Sequence, residues 1–361
     1  VIAQKSDPSP PLTAALEAIR KQYDLPALAG ARFARGSVAE SAVAGVRKYG
    51  DATPATVKDA FHLGSCTKSM TATLVAMAID ERKLDYETTL SSLLPGEAAG
   101  MRPEYRDVTI RQLLNQRSGF SDNTWPPGSP SNWALAVGSL RAQRARYLSL
   151  ALRDQPVSTL GTAFLYSNRN YIVAGAILEM LTGQPWETLI ERRLFRPLGM
   201  ASAGFGPMAT PPDHVDAPWP HVLSGGVHVP IPPGPAADNP LVLGPAGTVH
   251  SSLDDWARYG LFHLRSALGR SNPLLSAAAG RELYAPPKGS EYACGWGLTD
   301  RPWGGGTVLT HSGSNTMNYA VIWLAPLRDF GVIAATNQGG DNAAKACDET
   351  ASLLIRRQLV R

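Results

Sequence analysis

Cysteine is scarce in this chain. Only Cys66, Cys294 and Cys347 occur among 361 residues, which excludes a disulfide scaffold and any cysteine-rich zinc site. At most one bridge can form. Cys294 with Cys347 is the pair to consider, against a reading in which all three thiols stay free and mostly buried. Long hydrophobic runs are also missing: Leu74–Ile79 and Ala320–Leu324 fall far short of the roughly 18 residues a membrane-spanning helix requires. Neither sign of charge dominates, with 34 Lys and Arg against 30 Asp and Glu and a formal net charge of +4. No Lys/Arg cluster offers a nucleic-acid footprint. A G-x-S-x-G nucleophile elbow is absent, which argues against an α/β-hydrolase esterase. There is no H-E-x-x-H, C-x-x-C or P-loop pattern either.

Glycine and proline, by contrast, are plentiful. The 34 glycines and 29 prolines are too many for an all-helical protein and imply many turns and long loops. A hydrophobic share of 44% with 18% charged residues supplies a sizeable core. At about 150 residues per domain the length suggests two domains or one large one. The chain begins at Val1, and the polar, Pro-rich stretch VIAQKSDPSPP reads as a processed or trimmed N-terminus. Export to a periplasmic or secreted location is therefore expected, with a cytoplasmic one left open.

Periodicity predicts a helix over Leu12–Tyr23 and strands over Ala27–Ala34 and Ser41–Arg47. Met70, Leu74, Met77 and Ala78 recur at helical spacing, so a buried helix starts near Ser65. From Leu84 to about Gly244 helices alternate with irregular stretches, at Val108–Asn115, Trp133–Leu152, Asn170–Leu181 and from Pro185 to Phe195. Residues 205–245 are too rich in Pro and Gly for regular structure, and a loop that long in a compact protein usually rims a site. Further on come a helix at Ser251–Leu268, a meander of Gly306–Thr310, Tyr319–Leu324 and Gly331–Thr336, and a last helix near Asp341–Gln358. Strands at both ends with helices between them predict an α+β fold. An antiparallel sheet flanked by helices would combine residues 1–84 and 245–361, with a mainly helical region, 85–244, inserted between its two parts. Together they would form one catalytic unit.

Three short motifs carry chemistry. In Ser65-Cys66-Thr67-Lys68 the hydroxyl and the ammonium sit at i and i+3, on one side of a helix. A desolvated lysine can serve as the base that turns serine into a nucleophile. By itself the pattern is weak, since a chain of this length yields about one S-x-x-K by chance. Tyr166-Ser167-Asn168 offers a phenol for proton transfer and an amide that can both donate and accept. Alone, it reads more readily as a helix-capping asparagine after a core tyrosine. His311-Ser312-Gly313-Ser314 ends a strand with small residues along which a ligand can lie. Its Ser314 N–H can pair with that of Ser65 as an oxyanion hole. His214, His221 and His228 fall seven apart among prolines where no helix can align them, so they read as solvent-exposed loop histidines and no metal site is expected. Trp219 and Trp303 either wall the site or pack beneath it.

In order and spacing the three motifs resemble those of the serine β-lactamase and penicillin-binding-protein superfamily. That group includes class C β-lactamases, D-Ala-D-Ala carboxypeptidases and family VIII carboxylesterases. The resemblance spans roughly Leu12 to Leu354 and takes in Phe61–Lys68, Thr109–Gly119, Tyr166–Tyr171, Pro197–Met200, Pro245-Ala246-Gly247 and Gly295-Trp296-Gly297. It implies that Ser65 becomes acylated, that Lys68 and Tyr166 shuttle protons, and that Asn168, His311, Ser312 and Gly313 bind substrate. No cofactor is implied. Lys68 and Tyr166 titrate as a coupled pair, so either can be the base. The third motif departs from the Lys-Thr-Gly usual in β-lactamases. A histidine is only partly charged near neutrality, which weakens the expectation of strong β-lactamase activity. The expected substrate is a small molecule: a D-amino-acid peptide or β-lactam, alternatively a short-chain ester. A penicillin-binding sensor with little turnover is the reading of another class. Oligomeric state is left open.

Overall fold

The computed structural model describes residues 10–97, 99–210, 213–270 and 272–360. Most of the N-terminal stretch behind the expectation of processing, residues 1–9, lies outside them. The strands are β1 (Ala27–Ala34), β2 (Ser37–Gly45), β3 (Phe61–His62), β4 (Gly204–Phe205), β5 (His221–Ser224), β6 (Val227–Pro230) and β7 (Val249–Ser251), followed by β8 (Tyr292–Ala293), β9 (Trp296–Arg301), β10 (Gly306–Ser314), β11 (Tyr319–Ala325) and β12 (Phe330–Thr336). Six longer helices are α1 (Leu12–Gln22), α2 (Thr67–Asp80), α3 (Leu140–Arg153), α4 (Asn168–Thr182), α5 (Leu253–Ala267) and α6 (Asp341–Leu359).

Seven strands form one antiparallel sheet in the order β2-β1-β12-β11-β10-β9-β8. The first strand of the chain thus pairs with the last, Leu28 opposite Thr336 and Ala34 opposite Phe330. Side chains on a strand alternate between faces, and here each face has its own core. Ala29, Ala31 and Phe33 of β1 join Ile333 and Ala335 of β12 on the side of α2 and α5. Leu28 and Ala34 join Val332 and Ala334 beneath α1 and α6. Central strands covered on both faces read as largely apolar runs, which is why β1, apolar but for Arg32, and the strands β11 and β12 stand out in the sequence.

Helix α2 is buried from Thr67 to Ala78 on all sides, as an apolar helix without a polar stripe must be. Its hydroxyls are satisfied internally. Thr71 Oγ1 donates to Pro245 O at 2.7 Å and accepts from Trp186 Nε1 at 3.1 Å, while Ser69 Oγ donates to Cys66 O at 2.8 Å. The inserted region leans on α2 through α4. Arg144, fully buried, holds that region together by pairing with Glu179 at 2.5 Å and with Glu187.

Several expectations need correction. Residues 205–245 contain a hairpin, β5–β6, closed by Gly225 and Gly226 at positive φ. Its histidines are not exposed. The His221 ring donates from Nδ1 to Asn337 O at 2.8 Å and accepts the Tyr49 N–H at 3.0 Å, and burial lowers its pKa to about 4. The buried ring of His228 meets Gln338 Oε1 at 2.5 Å, and only His214 is exposed, beside Asp213. Strands β7, β8 and β9 lie where no strand is expected, and of the helix expected over Ser251–Leu268 only Ser251 falls in β7, with Ser252 capping α5. All three cysteines are free and buried, so Cys294 and Cys347 are not bridged. Trp219 is buried under the Lys48 ammonium, while Trp303 packs against Trp323 and Phe330 on the outer core.

Candidate active site

Ser65 sits in a single 3-10 turn, Gly64–Cys66, that runs into α2. The turn requires Gly64 at φ +50°, and a Cβ there would lie 2.4 Å from Ser314 N. Gly313 faces it just as closely: a Cβ would fall 2.1 Å from Leu63 O and 2.5 Å from Ser65 N. Two glycines from opposite ends of the chain therefore let the serine turn dock on β10. Strand β9 pairs with β10 only as far as Thr310, so the His311–Ser314 edge on that side lacks a ladder partner. Cys66 turns away, its Sγ pointing to His311 O at 3.4 Å.

Lys68 is fully buried. Its Nζ lies 2.9 Å from Ser65 Oγ, 2.7 Å from Asn168 Oδ1 and 2.8 Å from Ala246 O, and all three oxygens are uncharged. Burial without a carboxylate partner lowers its pKa to about 7. A neutral amine has two N–H donors and one lone pair. That set matches two pure acceptors and one hydroxyl able to reverse its bond.

The Tyr166 ring lies under the same ammonium, 4.9 Å from Nζ to its centroid. Desolvation raises the phenol well above its ordinary value, and a hydrogen bond with Ser65 offsets part of this. Ser167 caps α4 by accepting the Arg169 N–H at 3.2 Å, so Asn168 is the first helical residue and not the cap. Its amide is therefore free to hold Lys68 and to donate to Thr124 Oγ1 at 3.0 Å. The motifs bring Ser65, Lys68, Tyr166 and Asn168 together, with His311–Ser314 alongside.

His311 is buried against the rings of Tyr166 and Tyr292, at centroid separations of 6.3 Å and 6.0 Å. Its Nδ1 is 2.6 Å from Ser312 O. Burial, then the nearby Lys68 charge, lowers its pKa to about 4, so the ring is neutral at pH 7. Ser312 and Ser314 occupy exposed positions at the end of the strand.

Other contributors lie outside the three motifs, within the Thr109–Gly119 and Gly295-Trp296-Gly297 landmarks. Gln116, at φ +61°, accepts the Ser167 N–H at 2.9 Å and the Asn170 amide at 2.6 Å, which fixes the Tyr166 turn. Asn115 Oδ1 accepts the Cys294 N–H at 3.0 Å. Gly295, at φ +85°, would place a Cβ 2.6 Å from Ser69 N, so it lets that loop press on α2. The cleft over Ser65 has a volume of about 190 Å³ and is lined by Thr124, Trp125, Asn168, Asn239, Leu243 and residues 314–316. None of its lining residues is ionisable at neutral pH.

The Beta-lactamase family profile matches residues 12–356. The chain belongs to the Beta-lactamase family. This Beta-lactamase-family hydrolase is 29% identical over 336 residues to "Penicillin-binding protein 4" of Amycolatopsis lactamdurans, covering 90% of this chain and 84% of that one. It spans about half the length of other curated relatives. In fold it is similar to an octameric penicillin-binding protein homologue from Pyrococcus abyssi, with a TM-score of 0.75 at 21% identity over 96% of this chain and 77% of that one. It is likewise similar to a D-stereospecific amidohydrolase from Streptomyces sp., with a TM-score of 0.72 at 21% identity over 94% and 97% of the two chains.

Proposed function

We propose that the chain is a serine hydrolase that works through a covalent acyl-enzyme on uncharged D-amino-acid amides and esters. The observation that carries the mechanism is the Lys68 ammonium on three uncharged oxygens, one of them Ser65 Oγ. In the neutral form Lys68 takes the Ser65 proton as Oγ attacks the substrate carbonyl carbon. The carbonyl oxygen becomes an oxyanion that the N–H groups of Ser65 and Ser314 receive. As the C–N or C–O bond breaks, the proton leaves Lys68, through the Tyr166 hydroxyl, for the departing amine or alcohol. Water then adds to the acyl-enzyme, its proton follows the reverse route, and Ser65 is restored. In this scheme the base is Lys68, because desolvation moves its pKa toward neutrality and moves that of Tyr166 away.

The substrate class follows from the cleft. Neutral His311 and a wall without ionisable side chains provide no cation for a free carboxylate. Substrates ending in an amide or ester are therefore preferred over peptides ending in a carboxylate. The D configuration is carried over from the D-stereospecific amidohydrolase that shares the fold. A short-chain carboxylesterase is favoured by the same neutral wall and is the second reading.

Stopped-flow release from a nitrophenyl ester, alongside hydrolysis of a D-alanyl dipeptide and its C-terminal amide, tests the proposal. A burst followed by turnover that is absent in Ser65→Ala, with the amide cleaved faster than the free acid, is the expected result. A Ser65→Ala protein with wild-type activity overturns the mechanism. Faster cleavage of the free acid overturns the substrate class.

A further inference from the structure

Asp238 lies in the Pro/Gly-rich segment and is buried, yet it belongs to none of the three motifs. Its carboxylate gathers donors from three directions. Oδ2 lies 2.9 Å from His62 Nε2, while Oδ1 accepts from Asn315 Nδ2 at 2.8 Å and from Asn239 N at 2.7 Å. On the far side of the imidazole, His62 Nδ1 is 3.1 Å from the Gly64 N–H. A ring nitrogen that accepts a backbone N–H carries no proton, so the proton is on Nε2 and points at Asp238. The result is an unbroken chain of bonds from Gly64 through His62 and Asp238 to Asn315.

The two ends of that chain are informative. Gly64 immediately precedes Ser65, and Asn315 immediately follows Ser314. These are the neighbours of the two residues whose N–H groups are assigned to the oxyanion. Neither N–H belongs to a regular element on the cleft side: one lies in a tight turn with a left-handed glycine, the other on a strand edge beyond the end of β9. Donors that face a cleft are stabilised by rotating toward other acceptors, and preorganisation requires that they be prevented from doing so.

We propose that Asp238 is a positioning residue which, through His62 and Asn315, fixes the separation of the Ser65 and Ser314 N–H groups. The proposal rests on the acyl-transfer reading above. Asp238 does not touch the reacting atoms; it acts through two arms on the backbone on either side of them. Misplacement of such donors by a fraction of an ångström lowers the rate of the chemical step while leaving ground-state binding largely intact.

A boronic acid separates this role from simple anchoring of a loop. Its boron bonds Ser65 Oγ and becomes a tetrahedral anion whose oxygen needs both N–H groups. Asp238→Asn and His62→Leu are each expected to lower kcat on a nitrophenyl ester about tenfold or more, with KM within about twofold. Affinity for phenylboronic acid should fall by the same factor as kcat. The double variant should be no worse than the poorer single one, because both break one chain. If Asp238→Asn does not fold, Asn315→Ala cuts one arm only and carries the same comparison with a several-fold loss. Folded variants with unchanged kcat and boronate affinity overturn the proposal. So does a fall in kcat that boronate affinity does not follow, which marks a purely structural anchor. Wild-type activity in Ser65→Ala overturns the underlying reading and this one together, whereas an inactive Ser65→Ala beside unaffected Asp238 and His62 variants overturns this one alone.

Discussion

The two faces of the seven-stranded sheet are built on different principles. Under α1 and α6 the core is aliphatic and aromatic: Leu12, Leu16, Val332 and Leu354 pack there with alanines and Phe330. Opposite, the fully buried α2 carries Thr67, Lys68, Ser69, Thr71 and Thr73, and the buried charges of Arg144, Glu179 and Asp238 lie on the same side. One face is mainly apolar, with the buried Arg32, held by Glu40 and by Gln358 of α6, as its exception. The other holds polar groups in a low dielectric, where each must be satisfied and where its proton affinity shifts. The polar groups proposed for catalysis thus lie on one side of a single layer of strands.

Mutations can break this contrast, and the largest effect belongs to the inner face. Ser65→Ala should lower turnover by about 10⁴-fold or more while leaving the urea midpoint almost unchanged, as burst kinetics and denaturation will show. Arg144→Leu also lies on that side but acts on stability. It strands two carboxylates, and about 3–5 kcal/mol should be lost in urea denaturation. On the outer face Leu354→Ala should cost about 2–4 kcal/mol by leaving a cavity beside Gly30, with kcat unchanged in the surviving folded protein.

A smaller effect comes from pH. The pKa of Lys68 is depressed to about 7, and the reaction needs the neutral amine, so kcat/KM should rise with pH and level off above about 7. Below that value it should fall about tenfold per pH unit, and the limb should persist in His311→Asn, because His311 titrates near 4. A profile flat from pH 5 to 8 would remove Lys68 from the role of base. The smallest effect is expected at the surface. Arg102→Ala breaks an exposed pair with Glu104 and should leave the urea midpoint almost unchanged.

Legibility in the sequence divides along similar lines. Strand β1 is buried on both faces and is apolar but for Arg32, and Ala27–Ala34 is the observed strand to the residue. Strand β9 has only Trp296 buried and two exposed residues at its end, and nothing in WGLTDR alternates. The β5–β6 hairpin misleads more actively, because His221 and His228 face inward while Leu223, Val227 and Val229 are exposed. Hydrophobicity points there to the wrong face, although the Gly225-Gly226 pair marks the turn.

Within the site, Ser65, Lys68 and Asn168 were visible because their side chains carry the contacts. Ala246 appears in the sequence only within the Pro245-Ala246-Gly247 landmark, since it contributes a carbonyl that any residue possesses. From the sequence Gly313 is expected to bind substrate and Gly64 only precedes the serine, yet the two glycines share another task. Their function is to be absent at the point where two backbones meet, and that meeting has no local signature. Gln116, Asn115 and Asp238 act across 50 to 180 residues of sequence, at distances that periodicity does not reach.

The contact between the Ser65 turn and Gly313 has a further consequence for biosynthesis. A ribosome has completed α2 long before β10 exists, and β1 must wait still longer for β12. Through most of translation Ser65 is present without the strand end that docks against it, so under the proposed mechanism the nascent polypeptide does not yet react. Acylation of Ser65 by a fluorescent probe would therefore report not on synthesis of the motif but on arrival of the distal meander, timing the last topological event of folding.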